Sequence, residues 1–405
     1  MVKYVFILFE VHQPRRLRGG LTEGLIKNNI NYGDLHNLLF DEKSNEEILK
    51  KASNNCYIPA TKLLLNVLKE FKEVIKVNFS FSGIVLEQFM SYLPDVLELF
   101  KDLIRLELAD VVVEPYYHSL VSIYEDQREF ISQVNQQLHL IKDLFGVIPK
   151  AFVNTEMIYN NIIANTVKEM GFDVVITEGV DKILNGRSPN YVYLGGNCGV
   201  KLLLRNYRLS DDVAFRFSNK SWDQYPLFAD RYVDWIAKSP GDLVVIAMDY
   251  ETFGEHQSAE TGIFDFLKHF ISFLGKQNIV ALGSSEVAEI FDPVDTINVS
   301  YENTISWADI EKDLSAWLGD REQVSAFNRH KALFELLNEL DMDLLKVWRY
   351  LSTSDHYYYM SSKGGASGEV HRYFSPHGSR TNAYCLLNTA LTILELRVLG
   401  FLNSR

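Results

Sequence analysis

The residues best placed to do chemistry in this 405-residue chain follow a short apolar run at residues 243–248. Three carboxylates and an imidazole come directly after that run: Asp249, Glu251, Glu255 and His256. Crowding carboxyl groups beside a buried strand costs free energy, so charge at this density favours a functional site. One chemistry that needs such groups is glycosidic bond cleavage, in which two carboxyl groups flank the scissile bond.

Other apolar runs in the chain also end in polar or ionisable residues. These runs lead into His12, Glu87, Glu114, Tyr116, His118, Glu156, Glu178 and Arg205. Parallel α/β proteins and (β/α) barrels build their active sites from residues at the carboxyl ends of their strands. We therefore expect these side chains to meet at one face of a sheet. The residues alone do not identify the acting pair among the strand-end carboxylates, which are Glu114, Glu156, Glu178, Asp249, Glu251 and Glu255.

The elements that must position these residues repeat as strand, loop and helix from residue 1 to about residue 292. Apolar residues spaced three and four apart between the strands predict helices, and repeated βα units predict a mainly parallel sheet in an α/β fold. Seven or eight strands are enough to close a barrel. A barrel is favoured over an open sheet because ionisable residues follow nearly every strand, whereas an open sheet gathers ligand groups mainly at one switch point.

The pattern changes near Pro293, after which long helical segments follow one another without a strand between them. The sequence therefore predicts two domains, a barrel over residues 1–295 and an α-helical bundle over residues 296–405 that contributes to the cleft. A Gly- and Ser-rich stretch at residues 362–379, with His371 and His377, is typical of a loop.

Composition narrows the classes of partner. The formal net charge of −13 argues against a nucleic-acid partner, and no apolar run reaches the length of a membrane span, so no membrane partner is expected. Three scattered cysteines without metal-ligand spacing, and an N-terminus unlike a signal peptide, predict a reduced, cytoplasmic protein without a metal or other cofactor. A homo-oligomer is left open.

Five segments in order along the chain carry a family resemblance. They are HQP (12–14), GIVLEQF (83–89), FVNTEMIYNN (152–161), MDYETFGEH (248–256) and SWADIEKDLSAWLG (306–319). In this order they resemble the conserved regions of glycoside hydrolase family 57, in particular of its α-amylase branch. DHYYYMSSKG (355–364) is similar to a further segment of that branch.

The resemblance implies a fold and a mechanism. It implies an incomplete (β/α)7 barrel followed by a helical bundle, and a retaining hydrolase of α-1,4-glucosidic bonds in starch, glycogen or maltooligosaccharides. Glu156 would be the nucleophile and Asp249 the general acid/base, with the pKa of Asp249 raised by crowding from Glu251, Glu255 and Glu156. The candidate substrate-binding residues are His12, Glu87, Glu114, Tyr116, His118, His256, Trp307, Asp309 and Trp317.

Each assignment has a structural alternative. Glu156 is also suited to the first turn of a helix, and Asp249 to capping the turn after its strand. Strand-end histidines often have structural roles, and Trp307 and Trp317 are equally suited to packing between domains. Three other functions also stay open: a 4-α-glucanotransferase or branching enzyme on the same site, a metal-dependent deacetylase or mannosidase-like enzyme, and a glucan-binding relative without turnover.

Overall fold

The computed structural model describes residues 3–21, 32–196, 198–337, 342–363 and 375–403. Structural statements below concern these residues. Most of the loop expected at residues 362–379, including His371, lies outside them, as does the end of the segment at residues 355–364.

The strands lie mainly in the first three-quarters of the chain, as the apolar runs predict. In order, β1 to β12 are Tyr4–Val11, Val77–Phe81, Ala109–Val112, Ala151–Val153, Val174–Glu178, Tyr193–Gly195, Val200–Arg205, Leu243–Asp249, Phe253–Gly254, Gln257–Ser258, Val280–Ala281 and Thr296–Ile297. The mixed α/β fold with a mainly parallel sheet is confirmed.

Helices separate most strands and continue after the last one. In order, α1 to α17 are Tyr32–Leu39, Glu42–Ala52, Ile58–Glu70, Gly83–Tyr92, Pro94–Arg105, Arg128–Phe145, Asn161–Glu169, Asp181–Leu184, Tyr207–Ala214, Ala229–Lys238, Ile263–Lys276, Ser284–Ile290, Ser315–Leu318, Arg321–Leu337, Met342–Leu351, Ser354–Tyr358 and Arg380–Asn403. Several begin directly after a strand: Ser82 caps α4 and Asn206 caps α9 by accepting backbone N–H groups.

Seven parallel strands pair in a continuous ring. β1 pairs with β2, β2 with β3, β4 with β5, β5 with β7, β7 with β8, and β8 with β1. A parallel bridge between Val113 and Phe152 joins the end of β3 to β4. The antiparallel strand β6 extends from β7 and pairs with β12. All seven carboxyl ends therefore open on one face.

Along each strand, alternate side chains point into the ring interior and out towards the helices. On β1, Phe6 and Leu8 belong to an inner apolar cluster, whereas Val5, Ile7 and Phe9 pack with the outer helices. The same alternation places Val245 and Ala247 of β8 inside. Since side chains alternate across a strand, the inward rows continue into polar residues at the carboxyl ends. Those residues are Glu10, His12, Ser82, Glu114, Glu178, Arg205 and Asp249.

The C-terminal helices α14, α15 and α17 pack on one another. The segment Arg380–Gly400 within α17 is long and apolar enough to cross a membrane, by length and composition alone. This corrects the expectation that no segment reaches that length. The expectation failed because polar and charged residues, among them Glu395 and Arg397, interrupt the apolar ones there and keep each run short. Leu387, Leu391 and Leu394 of this helix are fully buried, as in the core helix of a folded domain.

The C-terminal region is also joined to the ring. Tyr159 forms an antiparallel bridge with Ile305, and Ser119 forms one with Thr353. The strand β12 lies just past residue 295, so sheet pairing continues two residues beyond the predicted domain boundary. The division at residue 295 stays a prediction. These contacts bring two C-terminal segments to the open face of the ring.

Candidate active site

A cavity of about 780 Å³ lies at the carboxyl ends of the strands. Both predicted catalytic carboxylates line it, and so do several of the predicted binding residues. The lining residues from the sequence-based set are Glu156, Asp249, His12, His118, His256, Trp307 and Asp309. Glu87, Glu114, Tyr116 and Trp317 do not belong to its lining.

Glu156 follows β4 in a conformation that non-glycine residues rarely adopt. Its backbone has φ 56° and ψ 25°, and Met157 also has positive φ. The indole N–H of Trp307 donates to Glu156 Oε2 at 2.6 Å, while Ser354 Oγ donates to Oε1 at 3.5 Å. The carboxylate is therefore fixed from the C-terminal side, and the first-turn alternative, which requires right-handed helical backbone, does not describe it.

Asp249 ends β8 on the inward row and lines the same cavity. Burial, followed by the negative charge of Glu156, raises the pKa of Asp249 to about 7, against the positive charges of Arg205 and His118. Among the described residues no donor hydrogen-bonds this carboxyl. A carboxyl group that remains protonated near neutral pH can donate a proton to a leaving oxygen.

The sequence predicted that crowding by Glu251 raises the pKa of Asp249, but Glu251 has its own partners in the structure. Burial and the charge of Asp249 raise the pKa of Glu251 to about 8, while Tyr57 and Gln13 donate to its carboxyl. The charge of Glu251 is not among the main causes that raise the pKa of Asp249. Glu255 pairs with Lys51 and Asn55 outside the cavity lining. The raised pKa of Asp249 thus comes from burial and Glu156.

His118 links the Glu156 side of the cavity to the carboxyl groups of Glu114 and Glu10. Its Nδ1 lies 2.8 Å from Glu114 Oε2, and its Nε2 lies 3.6 Å from Glu156 Oε1. Burial would lower the pKa of His118, but Glu114, Glu156 and Glu10 raise it well above the ordinary value. Glu10, Glu114 and His118 are close enough to hold a metal ion.

His12 stacks on His118 with ring centroids 3.9 Å apart. Its Nδ1 is hydrogen-bonded to Ser82 Oγ at 2.8 Å and its Nε2 to Asp355 Oδ2 at 2.9 Å. Burial and the charge of His118 lower the pKa of His12 despite Asp355. A neutral His12 beside a cationic His118 gives this wall one fixed charge and one neutral polar group.

Asp309 and His256 lie in the cavity wall as expected. Asp309, with φ 55°, accepts a hydrogen bond from Tyr358 Oη at 2.8 Å. His256 reaches the wall through the turn after β8, where its backbone N–H donates to Glu251 O at 2.8 Å. Both positions are suitable for polar contacts with a ligand.

Four candidates contact other protein groups and do not line the cavity: Glu87, Glu114, Tyr116 and Trp317. Glu87, on the helix α4, accepts hydrogen bonds from Arg15, Tyr116 and Tyr350 behind the cavity wall. Glu114 is fully buried against His118, and Trp317 is fully buried near Tyr358. In this structure they support the wall and do not face the cavity.

Some site residues carried no functional assignment from the sequence. Glu10, Arg16, Arg205, Lys312 and Asp355 all line the cavity. The alternation along β1 could have identified Glu10, because it lies two residues before His12 on the same face. Asp355 was within the family-like segment at residues 355–364, but its pairing with His12 depends on the folded chain.

We expect that replacing His118 with Asn lowers the free energy of unfolding by about 3–5 kcal/mol at about pH 6, because it leaves the buried Glu114 carboxylate without its charged partner. Since the pKa of His118 is raised in the folded state, this stability is complete below about 6.5 and decreases as the pH rises through the folded-state pKa. Urea unfolding at about pH 6 and about pH 9 measures both effects. A loss of unfolding free energy in His118→Asn that is larger at about pH 9 than at about pH 6 would contradict this explanation.

Comparisons with known proteins show the family of the chain. The model of glycosyl hydrolase family 57 matches residues 6–300. A protein of Methanocaldococcus jannaschii named "Putative alpha-amylase" is 43% identical over 387 residues, covering 93% of this chain and 80% of its own length.

Solved structures also match the fold. A GH57 branching enzyme from Thermococcus kodakaraensis aligns with a TM-score of 0.65 at 13% identity, covering 99% of this chain and 95% of that chain. The 4-alpha-glucanotransferase of Thermococcus litoralis aligns with a TM-score of 0.63 at 16% identity over 88% of this chain. The alignment covers 56% of that longer chain.

Proposed function

Because the chain belongs to glycosyl hydrolase family 57, we propose that it is a retaining hydrolase of α-1,4-glucosidic bonds in α-glucans such as starch, glycogen and maltodextrins. The observation that carries the proposal is the unequal pair of carboxyl groups at one cavity. Glu156 is held by an indole N–H, and Asp249 has a pKa raised to about 7. A nucleophile and a proton donor need environments that differ in this way.

The mechanism is a double displacement. In the first step Glu156 attacks the anomeric carbon as the glycosidic C–O bond breaks, and Asp249 gives its proton to the leaving oxygen. The ionised Asp249 then takes a proton from water, whose oxygen attacks the same carbon and releases the Glu156 carboxylate. The net change is addition of one water across one glycosidic bond.

The proposal extends to the fold. We infer that the ring of seven parallel strands is the incomplete (β/α)7 barrel of the family, followed by a helical domain that completes the cleft. Ring pairing of the strands and the packing of α14, α15 and α17 support this inference. Trp307, Asp309, Lys312 and Asp355 would be among the helical domain's contributions to the cleft.

Transfer to another sugar is the second candidate function, because relatives of known fold are named as a glucanotransferase and a branching enzyme. Incubation with maltoheptaose separates the two functions. Hydrolysis should produce shorter oligosaccharides with a matching gain in reducing ends. Longer oligosaccharides without a net gain in reducing ends would overturn the hydrolase proposal, and binding without any product would favour a non-catalytic relative.

A metal-dependent mechanism makes an opposite prediction. We expect activity on maltoheptaose to survive exhaustive dialysis against EDTA, because Glu156 and Asp249 carry the proposed chemistry without a metal ion. Loss of activity on chelation, restored by adding a divalent ion, would contradict the proposal. It would then direct attention to Glu10, Glu114 and His118.

A further inference from the structure

A short loop from the C-terminal region lies over the nucleophile. It spans residues 306–313 and is closed by its own hydrogen bonds: Ser306 N donates to Lys312 O at 3.2 Å, and Ser306 Oγ donates to Asp313 O at 2.7 Å. Both Trp307 and Lys312 face the cavity from this loop. We refer to residues 306–313 as the tryptophan loop.

The tryptophan loop contacts Glu156 at two points. Trp307 N donates to Glu156 O at 3.1 Å, and the indole N–H donates to Glu156 Oε2 at 2.6 Å. One bond fixes the backbone of the nucleophile and the other fixes one of its carboxylate oxygens. The other oxygen, Oε1, lies near Ser354 Oγ and His118 Nε2, and its orientation towards a substrate depends in part on where the loop holds Trp307.

Lys312 attaches this loop to the strands. Its Nζ lies 2.9 Å from Trp307 O and 3.0 Å from Glu178 Oε2. Glu178 is fully buried on β5 and is also bonded to Arg205 of β7 at 2.9 Å. Arg205 in turn donates to Ala247 O on β8 at 2.7 Å and lies 5.5 Å from the Trp307 ring centroid. One ammonium group thus connects the carbonyl of Trp307 to a buried ionic group spanning three strands.

The loop backbone needs such an attachment. Asp309 and Lys312 have φ of 55° and 52°, in the left-handed region that costs free energy for residues other than glycine. Conformations of this kind persist only where surrounding contacts hold them. A charge-assisted hydrogen bond to a buried carboxylate is a strong contact of this type.

We propose that Lys312 is a positioning residue, which ties the tryptophan loop to Glu178 and thereby holds the Trp307 indole N–H on Glu156. The proposal rests on the proposed role of Glu156 as the nucleophile. Lys312 acts through Trp307 and is not itself required to touch the reacting atoms.

A double-mutant cycle tests this inference, with kcat and KM measured on maltoheptaose for Lys312→Met, Trp307→Phe and the combined variant. We expect Lys312→Met alone to lower kcat about 10- to 100-fold, the effect of losing a hydrogen bond to a charged group, and to change KM less than about threefold. Added to Trp307→Phe, it should cost less than about twofold further, because its route of action is already absent.

Lys363 provides a matched control, because it contacts the same loop from another segment of the chain. Its Nζ lies 3.0 Å from Glu311 Oε1 and also bonds Ser315, so it braces the outer edge without contacting Trp307. Lys363→Met should keep kcat within about twofold of the wild type, the range expected for a partly exposed ion pair.

A second readout does not depend on turnover. In protein labelled with 5-fluorotryptophan, the resonance missing from Trp307→Phe identifies Trp307. That ¹⁹F resonance should shift in Lys312→Met and stay in place in Lys363→Met. If the methionine variant does not fold, Lys312→Gln replaces it with the same expectations, since it keeps a donor for Trp307 but loses the charge for Glu178.

The inference is overturned by an unshifted Trp307 resonance, by wild-type kcat in Lys312→Met, or by losses that simply add in the cycle. A lower unfolding midpoint with unchanged kcat would show that Lys312 only stabilises the fold, which also overturns it. Failure of the proposed function has a different signature. In that case Glu156→Gln would remain active, while the ¹⁹F experiment would still report whether Lys312 positions Trp307.

Discussion

Glu156→Gln should lower kcat on maltoheptaose by about 10⁴-fold or more while leaving glucan binding in place. Replacing a group that forms the covalent intermediate removes a complete step, and losses of this size are typical of such residues. The amide is nearly the size of the carboxylate and retains an oxygen for the Trp307 indole N–H. Initial rates measure the loss, and calorimetric titration with maltoheptaose measures the retained binding.

Glu255→Gln is the matched control for this prediction. Glu255 follows the same strand as Asp249, but its carboxyl pairs with Lys51 and Asn55 outside the cavity lining. At temperatures below its unfolding transition, this variant should keep kcat within about twofold of the wild type, because Glu255 and its two partners lie outside the cavity lining. Loss of this buried carboxylate should show as a lower unfolding midpoint instead. Equal losses in the two variants would mean that charge removal in general, and not loss of the nucleophile, reduces the rate.

Asp249→Asn should lower kcat/KM on maltoheptaose by about 10²- to 10⁴-fold, the usual contribution of general acid catalysis. In the wild type, Asp249 is protonated below its pKa of about 7, so kcat/KM should decrease as the pH rises through that value. The variant cannot ionise and should lack this decrease. Glu251→Gln should keep it, because the pKa of Glu251 lies higher, at about 8.

The leaving group and an added nucleophile give a further test of the Asp249 assignment. An aryl α-glucoside with an acidic phenol as its leaving group needs little protonation, so it should lose far less rate in Asp249→Asn than maltoheptaose does. Azide should then attack the anomeric carbon of the glycosyl-enzyme, release Glu156 and form an α-glucosyl azide. A β-glucosyl azide, or equal losses on both substrates, would contradict the assigned role.

The sequence was most informative where function follows directly from strand geometry. His12 and Asp249 extend inward rows of β1 and β8, so their convergence follows from alternation along buried parallel strands. Glu156 was also located correctly at the end of β4. Its hydrogen bond from Trp307 was not foreseeable, because that residue lies 151 positions away in the sequence.

The missed residues depend on partners that are distant in sequence. Glu87 lies one helical turn beyond its strand, and it faces Arg15 and Tyr350 instead of the cavity. No local pattern specifies which face of α4 would meet those two residues. The same applies to Lys312, whose spacing in the sequence gives no sign of the buried Glu178 that it meets.

The pairing of His12 with Asp355 joins residues 343 positions apart, and Trp307 meets Glu156 across 151. Both contacts join the open face of the ring to C-terminal segments, so they can form only once the strand ends that they meet are in place. During refolding, the ring should therefore recover its secondary structure before the enzyme recovers its activity. The delay between the two signals would measure how long the C-terminal region takes to dock. The recovery of activity would then report the rate of the last step of folding.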